Sequence, residues 1–259
     1  MTAIYPEFAG KVAMVSGAGD GIGRAASIAF ARNGAHVLVT DINAATGGET
    51  VDMIVATGGR ALFHRCDVAV DEDQRAAVAF AVSEFGGLDY AFNNAGLTSP
   101  TIPLVETDEA FVNRQIAVNT KAFWSAMRHQ IPAMLERGGG AIVNSSSILA
   151  HVGLAGKAIY SAVKAGVIGM TRGAAVDYGP QNIRINAICP GTTETGMLRK
   201  VLADNEGNDE RINGIRARQV LNRWAQPSEI AEPALFLCSE GASYIVGAVL
   251  LVDGGYTIR

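Results

Sequence analysis

The chain has 259 residues, 49% of them hydrophobic and 18% charged, with a net charge of −4. That is material for a large core and too little charge for disorder. The slight acidic surplus and the absence of a Lys/Arg run argue against nucleic-acid binding. Cys66, Cys189 and Cys238 are scattered and odd in number, which argues against a disulfide framework or a zinc cluster, and no metal site is expected. No apolar stretch reaches the roughly 18 residues of a membrane span. The opening MTAIYPEFAG lacks a basic region followed by an apolar run, so no signal peptide is expected and the cytoplasm is the expected location.

Taken in order, short apolar runs alternate with helical stretches. Lys11 to Ser16 reads as a strand ending in glycines. Gly23 to Asn33 reads as a helix, and Ala35 to Asp41 as a second strand. Thr46 to Thr57 is helical, Ala61 to Asp67 a third strand, and Asp71 to Phe85 a helix. Leu88 to Asn93 is a fourth strand, and Asp108 to Leu135 has helical composition throughout, with Pro132 near its end. Ala141 to Ser145, Ile183 to Ile188 and Ala248 to Val252 are three further strands. Helices at Ile159 to Tyr178 and Pro227 to Cys238 lie between them. Strands this apolar need both faces covered, which is the doubly wound, Rossmann-like parallel sheet with helices on both faces. The alternation never breaks into a second compositional block, so residues 1–259 are expected to form a single domain.

The turn Ser16-Gly17-Ala18-Gly19-Asp20-Gly21-Ile22-Gly23 joins the first strand to the first helix. Glycines allow a sharp turn and a close approach to a diphosphate. The helix behind them offers free N–H groups and a partial positive charge. The next strand ends at Asp41, 18 residues beyond Gly23. An acid there accepts hydrogen bonds from the adenosine ribose hydroxyls and repels a 2′-phosphate. Ala18 and Ile42, where a compensating cation could stand, are not basic. NAD is therefore expected over NADP. A strand-end cap is the plainer alternative for Asp41.

Tyr160 and Lys164 are four apart, which puts them on one helix face. An ammonium one turn away would stabilise a phenolate and lower the tyrosine pKa, making Tyr160 a general acid and base. A solvated lysine beside an incidental aromatic is the alternative. The helix, however, carries apolar residues on several faces, so its lysine needs a partner.

Together these residues resemble the short-chain dehydrogenase/reductase family from about Phe8 to the end of the chain. The marks stand in order: the glycine turn Gly17 to Gly23, Asp67, Asn93-Asn94-Ala95-Gly96, Asn119, Ser147, Tyr160 with Lys164, and Pro190-Gly191 with Thr195. Ser147 lies 13 residues before Tyr160, which favours it over Ser145 and Ser146. The resemblance implies an oxidoreductase moving a hydride between NAD(H) and a secondary alcohol or ketone. Ser147 would bind the reacting oxygen and Tyr160 would pass the proton. Lys164 would hold the nicotinamide ribose and depress the Tyr160 pKa, and Asn119 would support a water chain from Lys164 to solvent.

Among the cofactor contacts, the resemblance implies Gly17, Asp20, Gly21, Ile22 and Gly23 at the phosphates and Asp41 and Ile42 at the adenosine. Asp67 and Val68 would contact the adenine. Asn94, Ala95 and Gly96 would lie beside the cofactor, and Pro190, Gly191, Thr193 and Thr195 around the nicotinamide carboxamide and diphosphate. Asp20 places an acid inside the phosphate turn, and it is expected to face solvent or cap the helix.

The polar stretch within 192–216 is expected to be the substrate lid, either a mobile segment or a surface helix. Thr98, Leu149, Leu154, Thr192 and Met197 are candidate pocket residues, and His151 could border that pocket. Ile245 to Tyr256 resembles the family's subunit-contact segment, so a homotetramer is implied. The alternatives are an NADPH-dependent 3-oxoacyl-carrier reductase, which Asp41 disfavours, and a nucleotide-sensing protein without catalysis, which would not need Asn119, Ser147, Tyr160 and Lys164. A nucleotide-sugar epimerase or dehydratase would need a larger C-terminal region.

Overall fold

The computed structural model of the chain describes residues 4–203 and 209–259. Seven strands form one parallel sheet: β1 (Val12–Ser16), β2 (His36–Asp41), β3 (Arg60–Arg65), β4 (Tyr90–Asn93), β5 (Gly140–Ser145), β6 (Ile183–Pro190) and β7 (Val249–Val252). Their order is β3-β2-β1-β4-β5-β6-β7. Every pairing is parallel, so each connection crosses over a sheet face.

The alternation of side chains along the strands builds two cores. Ala13, Val15, Val37, Val39 and Phe92 face α1 (Gly21–Arg32), α2 (Ala44–Ala56) and α9 (Pro227–Cys238), through Ala26, Phe30, Ile54, Ile230 and Leu235. Val12, Met14, Leu38, Ala91 and Ile142 face the other way. They meet α3 (Asp71–Phe85), α5 (Ala122–Glu136) and α6 (Ala158–Tyr178) through Ala77, Ala81, Met127, Ile131 and Ala175. The two-sided burial read from the strands is therefore met.

Local chemistry sets the ends of several helices. Asp71, Glu72 and Asp73 place negative charge in the first turn of α3, where the helix dipole favours it. Gly86 closes that helix in the left-handed region at φ 84°. Asn43 accepts from the N–H groups of Ala45 and Thr46, so α2 starts two residues before the position read from the sequence.

The helical stretch read over Asp108 to Leu135 is interrupted. It forms α4 (Glu109–Ile116), one π-helical turn over Ala117–Lys121, and then α5. The polar stretch after β6 forms α7 (Gly196–Ala203) and α8 (Asp209–Arg216). Residues 204–208 of the expected lid lie outside the described residues.

The strand order reverses direction between β1 and β4, since β1 leads outward to β2 and β3 while β4 begins the other half. Loops leaving the carboxyl ends of those two strands part there and open a crevice, the usual ligand position in such sheets.

Candidate active site

The carboxyl ends of six strands deliver the expected residues to one side of the sheet. The glycine turn follows β1, Asp41 ends β2, Asp67 follows β3, Asn94 follows β4, Ser147 follows β5, and Pro190 ends β6.

The glycine turn is locked to the loop after β4. Ser16 Oγ accepts hydrogen bonds from the N–H groups of Asn94 at 3.0 Å and Ala95 at 3.2 Å. Asn94 Nδ2 donates back to the Ser16 carbonyl at 3.2 Å. Gly17 has φ 64°, and a Cβ there would lie 2.9 Å from Ala95 Cα. A Cβ on Gly23 would lie 2.1 Å from the Gly17 carbonyl oxygen. Only glycine allows the turn to lie this close to α1, whose first N–H groups, from Gly21, Ile22 and Gly23, have no partner within the helix.

Asp41 faces this turn. Its Oδ2 accepts from Gly19 N–H and its Oδ1 from Asn43 N–H, each at 2.9 Å. Ile42 beside it is 56% exposed, an apolar surface at the position expected for an adenosine contact. Asp67 Oδ1 accepts from Ala69 N–H at 3.0 Å, and Val68 lines a small crevice with Ser16 and Ala95.

The sequence reading missed a cation near Asp41. Arg24, on the first turn of α1, donates to the carbonyl of Gly19 and to that of Thr46 at 3.1 Å, to Glu49 Oε2 at 3.0 Å and to Thr50 Oγ1 at 3.0 Å. Glu49 balances its charge, and its guanidinium braces the turn. A glycine cradle with the start of α1 behind it fits the diphosphate of a nicotinamide dinucleotide.

Asp20 is exposed, as one of its two expected placements has it, but it does not take the other. It stands at the N-cap position of α1, yet its side chain does not cap the helix. It turns to α7 instead, where Oδ2 accepts from Gly196 N–H at 2.9 Å and from Arg199 Nη2 at 2.7 Å. Burial pushes its carboxyl up, but the Gly21 and Gly196 N–H groups and the Arg199 guanidinium outweigh this and hold it below the usual range.

The three serines after β5 have separate partners. The Ser145 carbonyl accepts from Lys164 Nζ at 3.0 Å. Ser146 Oγ donates to the Lys164 carbonyl at 2.8 Å and anchors α6. The Ser147 hydroxyl stands near enough to the Tyr160 phenol to favour its ionised form, and it accepts from Leu149 N–H at 3.1 Å.

Lys164 is 3% exposed, and its Nζ lies 5.9 Å from the Tyr160 ring centroid. Burial pushes Lys164 down to about 8. The depression of the tyrosine expected from its spacing is not what this geometry gives. Burial of the phenol outweighs the lowering influence of the Ser147 hydroxyl, and Tyr160 is pushed up to about 12. At this separation the ammonium does not offset the desolvation of the phenol.

Asn119 sits in the π-helical turn, fully buried. Its Oδ1 accepts from Leu97 N–H at 2.9 Å, and its Nδ2 donates to the Leu97 carbonyl at 3.0 Å and to Gln115 Oε1 at 2.6 Å. A Cβ on Gly96 would lie 2.9 Å from Asn119 Oδ1 and 3.4 Å from Lys164 Nζ. Gly96 thus keeps open the gap between the asparagine and the lysine. Single π turns inside α-helices are often found at functional sites.

Asn93, one residue earlier, belongs to the scaffold. It exchanges hydrogen bonds with Gln130 and donates to Asn144, which donates to Thr171.

Beyond β6, Gly191 packs against Asp253, where a Cβ would lie 2.7 Å from Cα. Thr193 is buried and its hydroxyl donates to the Gly191 carbonyl. Thr195 reaches Gly21, whose Cβ would lie 2.7 Å from Thr195 Cγ2. The pocket candidates are less concentrated. Leu149 bonds Ser147, the Thr98 carbonyl accepts from Gln115, and the Leu154 carbonyl accepts from Lys157 N–H. Met197 lies exposed on α7. Thr192 accepts from Gln219, a buried residue that no sequence motif singles out. His151 Nε2 lies 3.5 Å from Cys189 Sγ, so it stands beside the Ser147 loop.

Known proteins resemble this chain over nearly its whole length. The family described as "Enoyl-(Acyl carrier protein) reductase" matches residues 17–257. The 2,5-dichloro-2,5-cyclohexadiene-1,4-diol dehydrogenase of Sphingobium indicum is 40% identical, with 97% of this chain and 98% of that protein covered. The cis-4-hydroxycyclohexanecarboxylate dehydrogenase of Sinomonas cyclohexanicum is 42% identical, with 96% and 98% covered. A solved 7α-hydroxysteroid dehydrogenase, complexed with NADH and 7-oxo glycochenodeoxycholic acid, superposes with a TM-score of 0.89 at 36% identity, covering 96% of this chain and 94% of that one. The chain belongs to the short-chain dehydrogenase/reductase family of oxidoreductases.

Proposed function

We propose that this oxidoreductase moves a hydride between NAD(H) and a secondary alcohol or ketone carried on a ring. The placement of Ser147 near Tyr160, with buried Lys164 beside the phenol ring and the glycine turn at the same carboxyl side of the sheet, carries this reading. Bound nicotinamide supplies the hydride acceptor or donor. In oxidation Tyr160 must first be ionised, and its phenolate takes the proton of the substrate hydroxyl to become the phenol; in reduction the phenol gives that proton to the carbonyl oxygen and is left as phenolate. Ser147 holds that oxygen by a hydrogen bond. Lys164 sets a positive potential behind the phenol, and Asn119 and the gap at Gly96 give its ammonium a route for proton exchange. Charge that develops on oxygen is met by two hydroxyls and one ammonium.

Asp41, already bonded to Gly19, supports NAD over NADP, because a 2′-phosphate would meet its carboxylate. The same argument weighs against an NADPH-dependent acyl-carrier reductase. The substrates after which these relatives are named, a dichlorocyclohexadienediol and a hydroxycyclohexanecarboxylate, support a cyclic secondary alcohol.

We also assign the chain to a homotetramer working as one domain in the cytoplasm. Leu250 and Leu251 of the edge strand β7 are both partly exposed, and adjacent strand residues face opposite ways, so both faces of this edge are open to a second copy. No helix among the described residues is long and apolar enough to cross a membrane.

The test is NADH formation from a panel of cyclic secondary alcohols, offered with NAD and separately with NADP. Turnover with NAD supports the assignment. Turnover with NADP alone, or with no alcohol at all, contradicts it.

A further inference from the structure

An acid in a phosphate-binding turn calls for an explanation, since its charge opposes that of the ligand. Here Asp20 is turned away to the helix that follows the Pro190–Thr195 loop. Its single Oδ2 takes both the first N–H of α7 and the guanidinium one turn later. Two further observations fall at the same junction. A Cβ on Gly196 would lie 2.5 Å from Asp20 Oδ2, so a side chain there would push the carboxylate off the helix end. Thr195 packs on Gly21, the residue after Asp20. The glycine turn and the start of α7 therefore meet through charge, a backbone hydrogen bond and van der Waals contact, 176 residues apart in sequence.

We propose that Asp20 and Arg199 form a clasp that pins α7, and with it the Thr193–Thr195 segment, onto the phosphate turn, and so sets how fast the cofactor leaves. The inference rests on the reading that the turn holds a nicotinamide dinucleotide. Asp20 and Arg199 are positioning residues: neither needs to touch the cofactor. Both side chains are about half-exposed, which limits the effect of the pair and makes it sensitive to salt.

The test is the release of NADH, followed by fluorescence on displacement with excess NAD, in the wild type, Asp20→Ala, Arg199→Ala and the double variant. The clasp predicts that Arg199→Ala speeds release by about two- to fivefold when Asp20 is present, the range of an exposed ion pair, and by nothing when Asp20 is already alanine. Moderate salt should raise wild-type release towards that of the variant, while the melting temperature stays within about a degree or two. An equal acceleration in both backgrounds would mean that Arg199 binds the cofactor directly, and overturns the clasp. No acceleration in either background also overturns it. If the wild type retains no NADH, the cofactor reading falls, and the clasp with it.

Discussion

Replacing Lys164 with methionine should make the protein more stable and less active. The ammonium is almost wholly buried, and burial lowers its pKa from 10.5 to about 8. At 1.36 kcal/mol per pKa unit, keeping it protonated at neutral pH costs about 3 kcal/mol. Methionine is of similar length and removes that cost. It also removes the donor to the Ser145 carbonyl, and an unpaired buried acceptor costs about 1–2 kcal/mol. The net gain at pH 7 is about 1–2 kcal/mol, which for a chain of this size raises Tm by about 2–6 °C.

The pH dependence has a definite sign. The folded protein releases this proton near pH 8 and the unfolded chain near 10.5, so between these values the unfolded chain binds more protons. Wild-type stability therefore rises across that window, and the advantage of the methionine variant shrinks. Thermal unfolding of both proteins at pH 7 and near pH 10 checks this. A variant less stable than wild type at pH 7, or an advantage independent of pH, would refute the account of Lys164 as a charge held at a cost for function.

Ser147→Ala should lower kcat by about 10²–10³-fold, as expected for loss of one hydroxyl at the reacting oxygen, while the KM for NAD changes little; steady-state kinetics distinguish the two. Asp41→Ala should narrow the preference for NAD over NADP by at least about tenfold, since a phosphate near a carboxylate is opposed by several kcal/mol at close range; the ratio of kcat/KM values reads it. Asn93→Ala should destabilise by about 2–4 kcal/mol by leaving Gln130 and Asn144 without their partner. Urea unfolding measures that loss, and cofactor affinity in the folded fraction should be unchanged.

Much of this architecture was legible because it is local. The limits of α3 and α9 coincide with the helical runs, Asp71 to Phe85 and Pro227 to Cys238, because acidic residues and a glycine bound the first and Pro227 opens the second. Tyr160 and Lys164 share a face by helix geometry alone. The π-helical turn at Ala117–Lys121 was not legible. Its residues have ordinary helical composition, and the distortion coincides with Asn119 bonding Leu97, a residue of another segment. The Tyr160 pKa was misjudged for a related reason: spacing gives the distance to the lysine but not the burial that outweighs it. Asp20, Arg24 and Gln219 have partners set by tertiary packing, so no pattern in their own neighbourhoods announces Arg199, Glu49 or Thr192.

The central claim is that Tyr160 passes the proton while the rest of the site binds the cofactor. Tyr160→Phe keeps the ring and removes only the hydroxyl. NADH binding by fluorescence and turnover of an accepted cyclic alcohol should be measured side by side on this variant. The account predicts NADH affinity within about threefold of wild type, and kcat reduced by the roughly 10²–10⁴-fold that a positioned acid or base contributes. Turnover at the wild-type rate with the hydroxyl gone would contradict it.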